Sequence, residues 1–320
     1  YADFVENPRF NAFAFKHNDR YFIAIFNGIP FIVSTLILRM LADDRLFKHV
    51  GDPNEEEGNL PLYTRFTPNA ARIAEAKLGA IAPKNAHRQI YALHLCNFVF
   101  DFLAAHELAH IAHGHVGYRA SECGIPYVSE VCWVPGTPNG NLELQAMEMD
   151  ADFSASLPVV TTVKRIVSDR ARLPQPMSEL YQDAAQAIFD MGVAVCILFR
   201  LFGDSRITGV NLSNRTHPPT RWRQMMILNR MGNYIERFWD SSLYASAEQA
   251  FTRAIAEVEN AFELITGLPQ EVEGLHDVWH VSGWDYAVKI AACWNDTLRP
   301  KLKKYAFAAL SPYSFDPAKS

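Results

Sequence analysis

Two histidines four residues apart, His106 and His110, carry the clearest chemical signal in the sequence, and Glu107 directly follows the first. On an α-helix, residues four apart lie on one face, one turn apart, so both imidazoles can bind a single zinc ion. Glu107 then lies beside the metal, where it can take a proton from a zinc-bound water. Zinc lowers the pKa of that water towards roughly 7 and polarises a scissile carbonyl. The motif predicts a zinc hydrolase with Glu107 as its general base.

A catalytic zinc needs a third protein ligand and an open position. The extended HExxHxxGxxH pattern is excluded, because His113 and Val116 stand where its glycine and its third histidine would be. His113 itself lies near the helix face of His106, although one straight helix rarely directs three ligands at one metal. Glu148, on the next predicted helix, is the ligand that we expect, and His113 stays the alternative.

Asp152 lies one turn after Glu148 and can accept a hydrogen bond from a ligand histidine, which would fix the tautomer of that imidazole. Glu143 and Asp150 are nearby alternatives to Glu148 as the third ligand. Glu143 comes five residues before Glu148 and would face elsewhere, and Asp150 lies about 200° round the helix from Glu148.

The segment Thr216–Arg223 forms a further element of interest. Pro219 suits the first turn of a helix, so His217 should lie just before a helix N-terminus. There it can donate a hydrogen bond to the oxyanion of a tetrahedral intermediate. Arg223, one to two turns later, can anchor Glu148, Asp152 or the substrate backbone.

The elements that must position these residues are mostly helices. Asn11–Phe15 and Tyr21–Phe26 flank a polar stretch and predict a β-hairpin, and a short strand is expected over Tyr127–Val134. The predicted helices are Phe31–Ala42, Asn69–Ala82, Ala86–His115 (broken near its end by Gly114), Leu142–Leu157 (ended by Pro158), Met177–Leu201, Pro219–Trp239, Ala245–Thr266 and Trp284–Ala309. The fold class is therefore α+β, predominantly helical, with a small N-terminal β-sheet.

The composition excludes several classes of protein. Of the 320 residues 49% are hydrophobic, which predicts a folded chain, and a net charge of −5 argues against a nucleic-acid partner. The five cysteines form no CxxC pair, which is typical of reduced thiols in a cytoplasmic protein. The uncharged run Tyr21–Leu38 is interrupted by the turn residues Asn27–Pro30, and Ala184–Phe202 contains Asp190 and Arg200, so no membrane span is expected. The chain begins at Tyr1 without a Met or a basic segment, which leaves a removed leader open.

Together these motifs resemble those of gluzincin metallopeptidases of the HtpX / CAAX-prenyl-protease type. In that family an HExxH helix with a later His precedes an E-x-x-A-D helix and a T-H-P-P…R turn; here the later residues are Gly114-His115. Asn11–Ala14 and the following strand and turn also resemble the substrate-side hairpin of the family. The resemblance covers roughly residues 11–225 and implies a zincin-like metallopeptidase core that binds Zn²⁺. Residue by residue, it implies the zinc ligands His106, His110 and Glu148, the general base Glu107, the ligand-orienting Asp152, and the transition-state residues His217 and Arg223.

The chain also departs from that family. The membrane helices of its membrane-bound members are absent, which argues against a lipid-embedded or prenylated substrate. Residues 43–85 and 240–320 have no counterpart. We therefore expect a peptidase domain over 1–240, with an insertion loop at about 43–68, and a C-terminal helical extension over 241–320 packed on it. The layout also resembles the Lit-like phage-exclusion peptidases, whose substrate is a translation elongation factor.

The expected function is that of a zinc metalloendopeptidase that hydrolyses a protein or peptide substrate. Two alternatives stay open. The first is a catalytically silent regulator with a structural zinc, which would need a fourth protein ligand; His113 is its evident source. The second is a toxin-like peptidase that is held inactive by the C-terminal helices and activated by a partner.

Overall fold

The described part of the chain is predominantly helical, as predicted, and carries one small mixed sheet of four strands. A computed structural model describes residues 1–63, 81–129, 138–173, 175, 177–180, 183–203, 212 and 215–313. The strands are β1 (Ala2–Val5), β2 (Ala12–His17), β3 (Arg20–Phe26) and β4 (Tyr127–Ser129). The helices are α1 (Gly28–Leu41), α2 (Ala86–Ala112), α3 (His115–Glu122), α4 (Pro138–Ser168), α5 (Met177–Leu180), α6 (Ala184–Leu201), α7 (Thr220–Tyr234), α8 (Tyr244–Thr266), α9 (Glu273–Trp279), α10 (Val281–Ala292) and α11 (Arg299–Leu302). Turns of π-helix extend α7 over Ile235–Trp239 and α10 over Cys293–Leu298.

The predicted hairpin is present, with β2 antiparallel to β3. Its turn residues Asn18 and Asp19 have φ angles of 47° and 59°, a left-handed conformation that these residue types tolerate in two-residue hairpin turns. The strand order is β1-β3-β2-β4. The sequence did not indicate β1, which is parallel to β3, because all four of its residues are exposed and give no buried alternation. Strand β4 begins at Tyr127 as predicted, and residues 130–134 of that prediction lie outside the described part.

Helix α2, which carries both motif histidines, has clear signals at each end. Its N-cap Asn85 accepts hydrogen bonds from the backbone N–H groups of His87 and Arg88. The chain turns at Gly114, which has a φ of 80°. A Cβ there would lie 2.6 Å from the carbonyl carbon of Tyr305, so both the conformation and the close approach require glycine. The turn starts α3 at once, and His115 is therefore directed back towards the end of α2.

The prediction that α4 ends at Pro158 is wrong, since the helix continues to Ser168. A proline inside a helix costs about 3 kcal/mol, since it removes one backbone hydrogen bond and crowds the preceding turn. The residues beyond it include Val159, Val160 and Val163, which are buried in the main core. Burial of each valine contributes about 1.5–3 kcal/mol, so the tertiary packing outweighs the proline.

Two other predicted helices differ in extent from those observed. The predicted helix Met177–Leu201 is divided into α5 and α6, because the Asp183 side chain accepts from the Gln186 N–H and caps a new helix. The predicted helix Trp284–Ala309 is helical to Leu302 and then turns back, where the N–H groups of Phe307 and Ala308 donate to the carbonyl of Ala112. Most of the predicted helix Asn69–Ala82 lies outside the described residues.

The main core is formed by α1, α2, α6 and α8 with part of α4, and a second cluster joins α4 and α7 to the C-terminal helices. Both cores therefore contain side chains from before and after residue 240, where we predicted that the C-terminal extension begins. The division of the chain into a peptidase domain and this extension stays a prediction. Among the described helices, α6 is long and apolar enough to cross a membrane, and 83% of it is buried inside the protein. The described residues thus give no clear membrane span.

Candidate metal centre

Helices α2 and α4 pack against each other, and their contact brings together His106, His110 and Glu148. The Nε2 atoms of the two histidines lie 3.0 Å apart. Glu148 Oε2 lies 3.5 Å from His106 Nε2, and Glu148 Oε1 lies 3.5 Å from His110 Nε2. All three residues are at most 2% exposed. We call these three residues the metal group.

The spacing of these atoms fits a tetrahedral metal ion. Zinc bonds of about 2.0–2.1 Å place neighbouring ligand atoms of a tetrahedron about 3.3 Å apart. The observed separations of 3.0, 3.5 and 3.5 Å therefore match one triangular face of such a site. Zinc binds two imidazole nitrogens and a carboxylate oxygen readily, and other divalent transition metals bind the same donor atoms. The metal group can thus bind a metal ion, and zinc as that ion stays a prediction.

Asp152 lies where it can orient His106. Its Oδ1 is 2.9 Å from His106 Nδ1, so the carboxylate faces this nitrogen of the ring. A neutral imidazole has one N–H, so in the metal-bound protein a hydrogen on Nδ1, facing Asp152, would leave the Nε2 lone pair of His106 directed at the metal group. The structure thus places Asp152 beside His106, and its orienting role stays a prediction.

Arg223, on α7, joins the two acidic residues of α4. Its Nε and Nη2 donate to the two carboxylate oxygens of Asp152 at 2.8 and 2.9 Å. Its Nη2 also lies 3.4 Å from Glu148 Oε2. Of the three anchoring roles that the sequence left open for Arg223, the described contacts are those to Asp152 and Glu148. Bidentate pairing fixes the plane of the Asp152 carboxylate and so the direction of its bond to His106.

His217 lies beside the metal group at the end of strand β4. Its Nε2 is 3.0 Å from the carbonyl oxygen of Ser129 and 3.7 Å from Glu148 Oε1. Its Nδ1 is 2.9 Å from the hydroxyl of Thr216. In this arrangement the Nε2–H of His217 is directed at a backbone carbonyl of β4 and stands close to the metal group. Glu107, the predicted base, is 1% exposed and follows His106 on α2.

His113 does not join the metal group but belongs to a second cluster with His115 and Asp150. Asp150 Oδ2 lies 2.5 Å from His113 Nδ1 and 3.2 Å from His115 Nε2. Burial opposes charge at Asp150, yet its hydrogen bonds with the two histidines hold the pKa of its carboxyl below the usual value. Burial also acts against the charged form of His113, but Asp150 prevails and raises the pKa of His113. For His115 burial is the dominant effect, and it lowers the pKa.

Asp150, an alternative third ligand in the sequence, lies in this second cluster rather than in the metal group, and the sequence gave no role to His115. In the structure His115 Nδ1 lies 2.9 Å from His110 Nδ1, so this pair is in direct contact with the metal group. The available signal was the glycine at position 114, since a turn there returns the next residue towards the helix that it follows.

Comparison of the chain with protein-family models, with curated proteins and with solved structures gives no match. The resemblance to gluzincins therefore stays a prediction from the motifs, and the site must be interpreted from its own geometry.

Proposed function

We propose that this protein is a zinc-dependent metalloendopeptidase with a zincin-like core, in which His106, His110 and Glu148 hold the metal. The observation that carries the proposal is the triangle of three buried donor atoms, 3.0–3.5 Å apart, with a glutamate next to the first histidine on the same helix. With three protein ligands, a bound zinc would keep one position open for water or substrate, which is typical of catalytic rather than structural zinc.

Bound zinc supplies a Lewis acid that makes water nucleophilic near neutral pH and polarises the substrate carbonyl. The Glu107 carboxylate takes a proton from the attacking water and passes it to the leaving amine. The Nε2–H of His217 donates to the substrate carbonyl oxygen as negative charge develops there, in place of its bond to Ser129. Asp152, itself held by Arg223, would keep the hydrogen of His106 on Nδ1 and so direct its Nε2 lone pair at the metal.

A substrate strand has a defined place in this proposal. Strand β4 is the last strand in the sheet order, and the carbonyl of its final residue, Ser129, contacts His217 beside the metal group. An extended peptide that pairs with the edge of β4 would therefore pass the metal group with its backbone already ordered. This favours an unfolded or loop segment of a protein as the substrate, and a translation factor is the candidate that the Lit-like layout suggests.

The proposal is tested first by metal content and then by cleavage. Elemental analysis should find about one zinc per chain in the wild type and much less in His110→Ala and Glu148→Ala. The zinc-loaded wild type is then incubated with a proteome-derived peptide library, and new peptide termini are counted by mass spectrometry. The matched control is Glu107→Gln, which we expect to bind zinc as tightly as the wild type but to cleave at least about 100-fold more slowly.

Zinc in all three proteins, or equal cleavage by wild type and Glu107→Gln, would contradict the assigned ligands or the assigned base. A zinc-loaded wild type that produces no new termini from the library would contradict the peptidase activity itself.

One observation favours the silent regulator as a second candidate. The metal group is almost completely buried, and His217 Nε2 lies 3.7 Å from Glu148 Oε1, near enough for a small side-chain movement to make it a fourth ligand. Under this alternative, His217→Ala would lose zinc. Under the peptidase proposal, the same variant would keep zinc and lose turnover.

A further inference from the structure

The contact between His110 and His115 constrains where one proton can lie. Their Nδ1 atoms are 2.9 Å apart, a hydrogen-bond distance, so one of the two nitrogens must carry a hydrogen and the other must accept it. The Nε2 atoms of His106 and His110, 3.0 Å apart, form a contact of the same kind, in which a bound metal would take the place of the hydrogen. The position of the proton between His110 and His115 decides which ring nitrogen of His110 can offer its lone pair to a metal.

Asp150 determines the direction of that hydrogen bond. It lies on the opposite side of the His115 ring, with Oδ2 3.2 Å from Nε2, and the carboxylate can only accept. A neutral His115 that donates its Nε2–H to Asp150 has a bare Nδ1. His110 must then donate its own Nδ1–H to His115, which leaves the Nε2 of His110 bare and directed at His106 and Glu148.

Asp150 is itself held in place on more than one side. It is fully buried, and the Tyr313 hydroxyl donates to its Oδ1 at 2.8 Å, while His113 Nδ1 lies 2.5 Å from its Oδ2. The ring of Trp294 packs edge-on against His115, which is also fully buried. The contacts therefore fix both the acceptor and the intervening ring.

From this geometry we infer that Asp150 and His115 are positioning residues that set His110 in its metal-binding tautomer, so that His113, His115 and Asp150 do not form a second metal site. The inference rests on the proposed metal group. It gives His110 the same kind of support that Asp152 gives His106, but through an intervening imidazole.

Because each neutral imidazole carries one hydrogen, His110 and His115 cannot both bind metal ions at the same time. A metal bound to His115 Nε2 would displace the proton of that ring to Nδ1, where it faces His110. His110 would then have to carry its proton on Nε2 and could no longer bind a metal there. With neutral imidazoles the two clusters are therefore alternatives, although each offers three donor atoms within 4.8 Å of one another. One tightly bound zinc per chain is expected.

The test compares His115→Phe, His115→Asn and His113→Phe. Phenylalanine keeps the packing against Trp294 but removes the acceptor, and we expect a 10–100-fold loss of zinc affinity in a chelator competition. Asparagine restores an acceptor oxygen near the position of Nδ1, so its affinity should return to within a few-fold of wild type. His113→Phe alters the second cluster without touching His110, and its affinity should change less than about threefold.

A second measurement does not depend on bound metal. Long-range ¹H–¹⁵N spectra of the metal-free, ¹⁵N-histidine-labelled wild type report which nitrogen of each ring is protonated, and His110→Asn assigns the signals of that ring. We expect His110 to be protonated on Nδ1 in the wild type. In His115→Phe we expect His110 to exchange between the Nδ1-protonated and the Nε2-protonated tautomers.

Unchanged zinc affinity in His115→Phe, or a wild-type His110 protonated on Nε2, would overturn the inference. An equal loss in His113→Phe, or two zinc ions per chain, would instead assign the second cluster as a metal site. If the wild type binds no zinc, the proposed function fails, and the metal-free spectra still decide the tautomer.

Discussion

Replacement of Glu148 by glutamine tests metal binding separately from folding. Glutamine keeps the size of the side chain but removes the carboxylate that faces both histidines at 3.5 Å. Two histidines remain as ligands, which is too few for tight binding of zinc. We therefore expect the variant to fold and to lose its stabilisation by zinc.

The size of that stabilisation follows from linkage. A ligand at 100 times its dissociation constant adds about 2.7 kcal/mol to the free energy of unfolding. With an unfolding entropy of about 2.1 cal/mol/K per residue, a chain of 320 residues has a total of about 0.67 kcal/mol/K. Zinc at that concentration should raise the Tm of the wild type by about 4 °C, and the Tm of Glu148→Gln by less than about 1 °C.

The metal-free proteins should behave differently. Glu148 and Asp152 are both buried and share Arg223, so the metal-free site holds more negative than positive charge at this contact. Removing one of the two carboxylate charges should leave the metal-free Tm unchanged or slightly higher. Differential scanning calorimetry with EDTA and then with a zinc buffer measures both effects on the same protein.

Glu143→Gln is the matched control, because Glu143 lies on the same helix but pairs with Lys301 on the surface. It should keep the full zinc-induced rise in Tm. A rise of about 4 °C in Glu148→Gln, or its loss in Glu143→Gln, would refute the assignment of the third ligand.

Two further predictions concern the folded core rather than the metal. Asp190 is buried beneath Tyr91 and Gln186, and burial raises its pKa to about 7, despite their hydrogen bonds, from an ordinary value of 3.8. Between pH 3.8 and pH 7 the native state therefore binds a proton that the unfolded state lacks. Urea denaturation should show the stability of the metal-free wild type, relative to Asp190→Asn, falling by about 2 kcal/mol from pH 5 to pH 7. A stability difference that does not change with pH would show that Asp190 is ionised throughout. Pro158→Ala restores an N–H donor for the Ser154 carbonyl inside α4 and should raise the free energy of unfolding by about 1–3 kcal/mol, whereas Leu157→Ala, at the exposed neighbouring position, should not. No gain in Pro158→Ala would mean that α4 has already adapted to the proline.

Much of the site could be predicted from sequence because it depends on spacing along helices. Residues four apart must share a face, so the pairing of His106 with His110 needs nothing beyond the helix itself. The same rule placed Asp152 one turn from Glu148 and placed Asp150 on another side of α4. The hairpin of β2 and β3 was equally local, since alternating residues and a polar turn determine it.

The remaining features depend on how the helices pack. The sequence left both His113 and Glu148 open as the third ligand, and only the packing of α2 on α4 brought Glu148 to the two histidines and His113 to Asp150. The continuation of α4 past Pro158 likewise required core contacts that no local rule contains. The contact of His115 with His110 needed the turn at Gly114, and its orientation by Asp150 needed α4 in place. Local geometry thus determined which residues can act together on one helix, whereas tertiary packing decided which partners from other helices complete the site, because those distances depend on the energy of the whole core.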